Sequence, residues 1–291
     1  MKIREILYKG WKSIEVTNDT IEFVIPLQIG IRLLHLALNS DHENCLFERS
    51  TDSGKTNSSE WLLYGGHRLW FAPEDLKTSY MPDNSPISYS RIPEGLRCSE
   101  SISPVTGIQK EMDFIFESAN KLRVVHRAHN KTNESCSLSL WPITAFAGGT
   151  ATLPLPQSKR VLNASGAIVL WPYTRPNDPR ISYSNEESAG QTGQSQTQLS
   201  VQIEQRAGSK PLKIGLAHDA NGPLELNWQR GSLFFRKSFQ RMSGTYPDFG
   251  SCIECYTNHE LIELETLGPE TRCPPGASVE HQEIWELWRK G

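Results

Sequence analysis

Along most of this chain, apolar and polar residues alternate with a period of two. That is the spacing of a strand with one buried and one solvated face. Ser135-Cys136-Ser137-Leu138-Ser139-Leu140-Trp141 keeps the alternation strictly, as do the runs from Leu199 to Gln205 and from Leu224 to Trp228. Thr20 to Ile25, Ile29 to Leu36, Lys121 to Arg127 and Ser232 to Lys237 are further apolar or β-branched runs. Turn formers separate them, among them Asn18-Asp19, Asn133-Glu134, Asn221-Gly222 and Arg230-Gly231. No window holds the helical i, i+3, i+4, i+7 pattern beyond about two turns, and only Glu60 to Trp70 has room for a short helical turn. Strands at regular intervals, without helical runs between them, predict an all-β antiparallel sandwich in which residues 1–291 form a single domain. The polar, small-residue stretch from Glu186 to Thr197 reads as a long exposed loop inside that domain, not as a boundary.

Composition narrows the function. A net charge of −3 and the absence of a basic run argue against a nucleic-acid partner. No apolar run reaches the roughly 18 residues that a spanning helix needs, so no membrane role is expected. The first residues, Met1-Lys2-Ile3-Arg4-Glu5-Ile6, lack an apolar signal core, which makes the chain read as cytoplasmic and its six cysteines as free thiols. Cys252-Ile253-Glu254-Cys255 is a lone CxxC in a strand-like run, where positions i and i+3 point to opposite faces; it lacks the second pair of a zinc ribbon. No Gly-rich nucleotide loop, HExxH or GxSxG is present, so no cofactor and no metal are expected.

Two short runs carry candidate chemistry. In Leu261-Ile262-Glu263-Leu264-Glu265-Thr266, period two puts Glu263 and Glu265 on one face of a strand. That face is either a solvated edge or the floor of a site, because a carboxylate is costly to bury unless it is bonded or used. In Trp61 to Glu74, Gly65-Gly66 permits close backbone approach and delivers His67 and Arg68 among Trp61, Tyr64 and Trp70. A guanidinium fork beside aromatic faces suits a polyhydroxylated ring, and it suits equally a structural turn with a surface ion pair.

Taken together, GGHRLW, the Trp-Pro-Ile-Thr strand before Ala147-Gly148-Gly149, TYPDFG, ELETLGP and PPGASVEHQEIWEL resemble the galactose mutarotase-like superfamily over nearly the whole chain, most closely a domain-of-unknown-function branch of it. The resemblance implies a β-supersandwich with a sugar cleft on its concave face and an activity of the aldose 1-epimerase kind. It matches Glu265, in Leu264-Glu265-Thr266 ahead of Pro275-Gly276, to the general base, and Arg68 to a residue that binds sugar hydroxyls. It also shows a departure: Trp141 stands where these enzymes present their acid histidine, and their Leu-His-Gly-Gly run is missing.

The expected partner is therefore a small sugar or sugar derivative, with the oligomeric state left open. Glu265 is the candidate base, and His67, adjoining Arg68, the candidate acid, with His218 second. Arg68, Trp70, Trp141, Lys237, Glu263 and His218 are the candidate binding residues. At most one of His126 and His129 can face a cleft. An anomeric isomerase, a non-catalytic sugar binder and another sugar chemistry such as a lyase all remain open on this scaffold.

Overall fold

The computed structural model describes residues 1–157, 162–189 and 195–290. The alternation seen in the sequence becomes three sheets, and every pairing between the described strands is antiparallel. Lys2–Tyr8, Trp11–Thr17, Ile21–Pro26 and His35–Leu38 form a four-stranded meander. A ten-stranded sheet has at its centre Gly222–Arg230, Leu233–Arg241, Ser278–Arg289, Lys121–Asn130 and Ile108–Ser118, in that spatial order. The seven-stranded sheet runs Gly166–Leu170, Leu212–His218, Ile253–Thr257, Ile262–Thr266, Cys136–Phe146 and Thr271–Cys273, with His67–Ala72 also paired to Cys136–Phe146.

One apolar cluster runs through all three sheets, from Ile14 and Phe23 to Phe146, Trp228, Phe235 and Trp285. Phe146 stacks on Trp228 with ring centroids 4.6 Å apart. Such rings bury large areas, and their offset or edge contacts add to that burial. This core fixes which face of each strand is turned away from it, and so positions the site.

The Gly65-Gly66 pair starts one site strand. Both residues have positive φ, 105° and 68°. A Cβ on Gly65 would lie 2.2 Å from the Phe47 carbonyl oxygen, and one on Gly66 would lie 2.2 Å from that of Leu33. Only glycine allows the chain to pass so close to both backbones before it straightens at His67.

Two local expectations change. Glu60 to His67 contains no helical turn: the segment is irregular, and the strand starts at His67. The stretch from Glu186 to Thr197 is not one long loop. Ile181–Ala189 pairs with Ser195–Glu204, bringing Ala189 opposite Ser195, and residues 190–194 lie outside the described residues. A polar two-stranded ladder needs no apolar face, so its pattern looks the same as a loop's.

Candidate functional site: a carboxylate-floored cleft

The register of the seven-stranded sheet lines up the chemistry. Glu265 lies opposite Glu254 on one side and Ile143 on the other, and Ile143 in turn lies opposite Arg68. One step along, Glu263 lies opposite Tyr256 and Tyr256 opposite Lys213; one step the other way, Trp141 lies opposite Trp70. Period two turns Arg68, Trp70, Trp141, Ile143, Lys213, Glu263 and Glu265 to the same side of the sheet, where they line a cleft of about 540 Å³. Trp61, Trp171, Tyr80 and Tyr173 form further walls. A smaller cavity of about 180 Å³, lined by Asp83, Glu100 and Lys110, shares only Trp70 with the cleft.

Glu265 is 1 % exposed at the cleft floor. The Trp141 indole donates from Nε1 to its Oε2 at 2.8 Å, and Lys213 Nζ stands 3.2 Å from the same oxygen. Burial pushes the Glu265 carboxyl above its ordinary range. The Lys213 ammonium pulls it back, the Glu263 charge adds to the rise, and the net shift is upward. Lys213 lies between the Trp141 and Trp171 rings, 4.4 and 4.6 Å from their centroids. Burial alone would lower the Lys213 ammonium, but Glu265 and Glu254 together hold it above its usual value.

The neighbouring pair is Arg68 and Glu263. Arg68 Nη1 donates to Glu263 Oε1 at 2.9 Å, and its guanidinium carbon lies 4.5 Å from the centroid of the Trp70 ring. Arg68 Nε and Trp61 Nε1 are buried without a partner. Unsatisfied buried donors are costly in a folded chain and point to a ligand or water acceptor. The cleft thus combines two buried carboxylates, Glu263 and Glu265, with the cations Arg49, Arg68 and Lys213, unpaired donors and several aromatic walls.

The other candidates lie elsewhere. His67 does not reach the cleft, because adjacent strand residues point to opposite faces and Arg68 takes the cleft face. His67 is fully buried between the two large sheets and meets His126, Nε2 to Nε2, at 2.7 Å. Lys237 is also 0 % exposed and lies in the same interior, 3.0 Å from Glu283, with its ammonium donating to the Leu264 carbonyl. His218 donates from Nε2 to the Pro154 carbonyl and is no part of the cleft lining. Among the described residues no histidine lines the cleft.

His67, His126 and Glu283 bring potential metal-ligating atoms within 4.8 Å of one another. Their hydrogen bonds use those atoms. His126 Nδ1 faces the His281 carbonyl at 3.1 Å, which can only accept, so Nδ1 carries the proton and Nε2 of the neutral ring must accept. His67 then donates from Nε2, and its Nδ1 accepts from the Thr144 hydroxyl at 2.8 Å. Both rings are held neutral: burial and neighbouring cations lower His67 well below its ordinary value, and burial lowers His126 to about 4. Glu283 accepts from Trp285 Nε1 and Thr266 and faces Lys237; burial would raise its carboxyl, but the Lys237 charge keeps it low. The unprotonated nitrogen of each of the two rings already accepts a hydrogen bond, so neither histidine has a free lone pair for a cation.

Sequence reasoning missed Lys213, Glu254, Trp171 and Tyr173. Lys213-Ile214-Gly215 and Glu254-Cys255-Tyr256 do alternate, which was the available signal; their place opposite Glu265 depends on strand pairing.

No protein family and no curated protein matches the chain by sequence. Solved structures do match. A protein from Synechocystis sp. PCC 6803 aligns over 100% of both chains at 12% identity with a TM-score of 0.61. A galactose mutarotase-like protein from Clostridium acetobutylicum aligns over 100% of this chain and 98% of its own at 11% identity, TM-score 0.55. Another from Lactobacillus casei ATCC 334 aligns over 95% of this chain and 100% of its own at 11% identity, TM-score 0.53. Among the described residues no helix is long and apolar enough to cross a membrane. The chain has the galactose mutarotase-like fold.

Proposed function

We propose that the cleft binds a sugar ring and exchanges the configuration of its anomeric carbon, with Glu265 as general base. The observation that carries this reading is the buried Glu265 carboxylate at the floor of the cleft, beside Arg68 and below aromatic walls. Arg68, Glu263, Trp70 and Trp141 are the groups that hold the ring. Its hydroxyls meet the guanidinium and carboxylate, and its apolar face meets indole. A base whose pKa is raised by burial removes the anomeric proton more readily near neutral pH, and a positioned proton-transfer group of this kind contributes about 10²- to 10⁴-fold in rate.

A second reading is a carbohydrate binder without catalysis. The observation that favours it is that no histidine among the described residues lines the cleft. One experiment separates the two: freshly dissolved α-aldoses and uronic acids are mixed with the protein, and anomer exchange is followed by NMR. Faster equilibration supports the isomerase. Saturable line broadening at an unchanged exchange rate supports the binder. A full panel with neither effect rules out both.

A further inference from the structure

The isomerase reading needs an acid as well as a base, and the cleft floor holds a group not yet assigned a role. Glu254 is 0 % exposed and sits in register opposite Glu265. Lys213 Nζ stands between the two, 2.6 Å from Glu254 Oε2 and 3.2 Å from Glu265 Oε2. Apart from that ammonium, neither Glu254 oxygen has a hydrogen-bond partner.

Two buried carboxylates around one buried ammonium leave a surplus negative charge at the cleft floor. The other facing groups do not cancel it. Arg68 is engaged by Glu263, and Asp248, from the turn Pro247–Gly250, adds negative charge beside Glu254. A proton taken up by the pair removes the surplus. Glu265 has both the Lys213 ammonium and the Trp141 N–H, a second bond that favours its ionised form, whereas Glu254 has the Lys213 ammonium alone and the Asp248 charge beside it. Burial acts in the same direction, raising Glu254 well above the usual carboxylate range.

We propose that Glu254 holds this proton, and that Glu254, Lys213 and Glu265 work as one acid–base unit. The proposal rests on the anomeric-exchange reading. In ring opening, the Glu265 carboxylate takes the proton from the anomeric hydroxyl, and that C–O bond becomes a carbonyl. The bond between the anomeric carbon and the ring oxygen breaks. Its electron pair takes a proton from Lys213, which lines the cleft, and Lys213 recovers one from Glu254. Afterwards Glu265 is neutral, Lys213 is an ammonium again and Glu254 is a carboxylate. Protons and charge balance without solvent; the negative charge has moved from one glutamate to the other. Closure on the opposite face of the carbonyl reverses each transfer. Lys213 touches the sugar, and Glu254 acts through it as a positioning residue.

The test has two independent readouts. Infrared spectra of the wild-type protein at neutral pH should contain the carbonyl stretch of a buried protonated carboxyl, shifted in D2O and missing from Glu254→Gln. By NMR, Glu254→Gln should slow anomer exchange about 10²-fold while the half-saturating sugar concentration stays within about twofold, because Gln keeps the shape and cannot release a proton. Glu254→Asp should restore part of the rate. A wild-type spectrum without that band overturns the proposal, even if Glu254→Gln fails to fold. A Glu254→Gln protein that exchanges sugars at the wild-type rate overturns the relay and leaves Glu265 as base. A wild-type protein that exchanges no sugar overturns the isomerase reading and the relay together, and the infrared band then decides the shared proton by itself.

Discussion

The two faces of the same three strands differ more than any two separate regions of this molecule. Inward, His67, Thr144 and Thr266 join His126, His281, Glu283, Trp285 and Lys237 in a buried network. Outward, one residue away along each strand, Arg68, Ile143 and Glu265 line the cleft. The inner groups have found partners: each ring nitrogen of His67 and His126, and each carboxylate oxygen of Glu283, has one. The outer groups are only partly paired: Arg68 Nε and Trp61 Nε1 are buried without a partner, and Glu254 has the Lys213 ammonium alone. A fully satisfied network specifies packing, whereas leftover donors and surplus charge next to open volume are what a ligand site requires.

The comparison breaks most readily at Lys237. Lys237→Met would leave Glu283 buried without its cation, at a cost of about 3–5 kcal/mol in denaturant unfolding. A loss below about 1 kcal/mol would show that the inner face is not a closed network.

Next in size is the acid response of the inner face. His126 and His281 are lowered to about 4 and about 3, chiefly by burial. A depressed folded-state pKa means stability that is complete above the ordinary histidine value and lost as pH falls through the folded one. Unfolding free energy should therefore drop between about pH 6.5 and 4, by on the order of 3 kcal/mol for His126 alone, and His126→Gln should flatten that limb.

The outer face should respond in the opposite sense. The carboxyls of Glu254 and Glu265 are raised, mainly by burial. Their contribution is complete below the ordinary carboxylate value of about 4.5 and declines as pH rises through the folded values. Glu254→Gln, which mimics the protonated form, should remove this decline in a stability–pH series. If the wild-type and Glu254→Gln curves run parallel from acid to neutral pH, the floor carries no surplus charge.

The smallest effect belongs to Trp141. Trp141→Phe removes one hydrogen bond to Glu265 and keeps most of the ring, so unfolding should lose only about 1–3 kcal/mol, with sugar exchange more affected than stability.

How much of this was legible in the sequence follows from the physics of strands. Alternation is local, so the all-β fold and the common face of Glu263 and Glu265 could be read from period two. The Gly-Gly pair before His67 likewise announced a close backbone approach. Applied strictly, the same rule separates His67 from Arg68, because neighbours in a strand face opposite ways; the acid role placed on His67 ignored it. Lys237 read as a candidate binding residue because its partner, Glu283, lies on a strand 46 positions away in the chain and could not be seen from the local pattern. Lys213 and Glu254 could not be joined to Glu265 without the order of strands in the sheet, which pairing energies between distant segments decide.

The central claim is that Glu265 is a working base. The most direct measurement is the NMR rate of anomer interconversion across a sugar panel, comparing wild type with Glu265→Gln at matched saturation. The account expects at least one sugar to be accelerated, and about 10²- to 10⁴-fold of that acceleration to vanish in the variant. Equal acceleration by both proteins would contradict it.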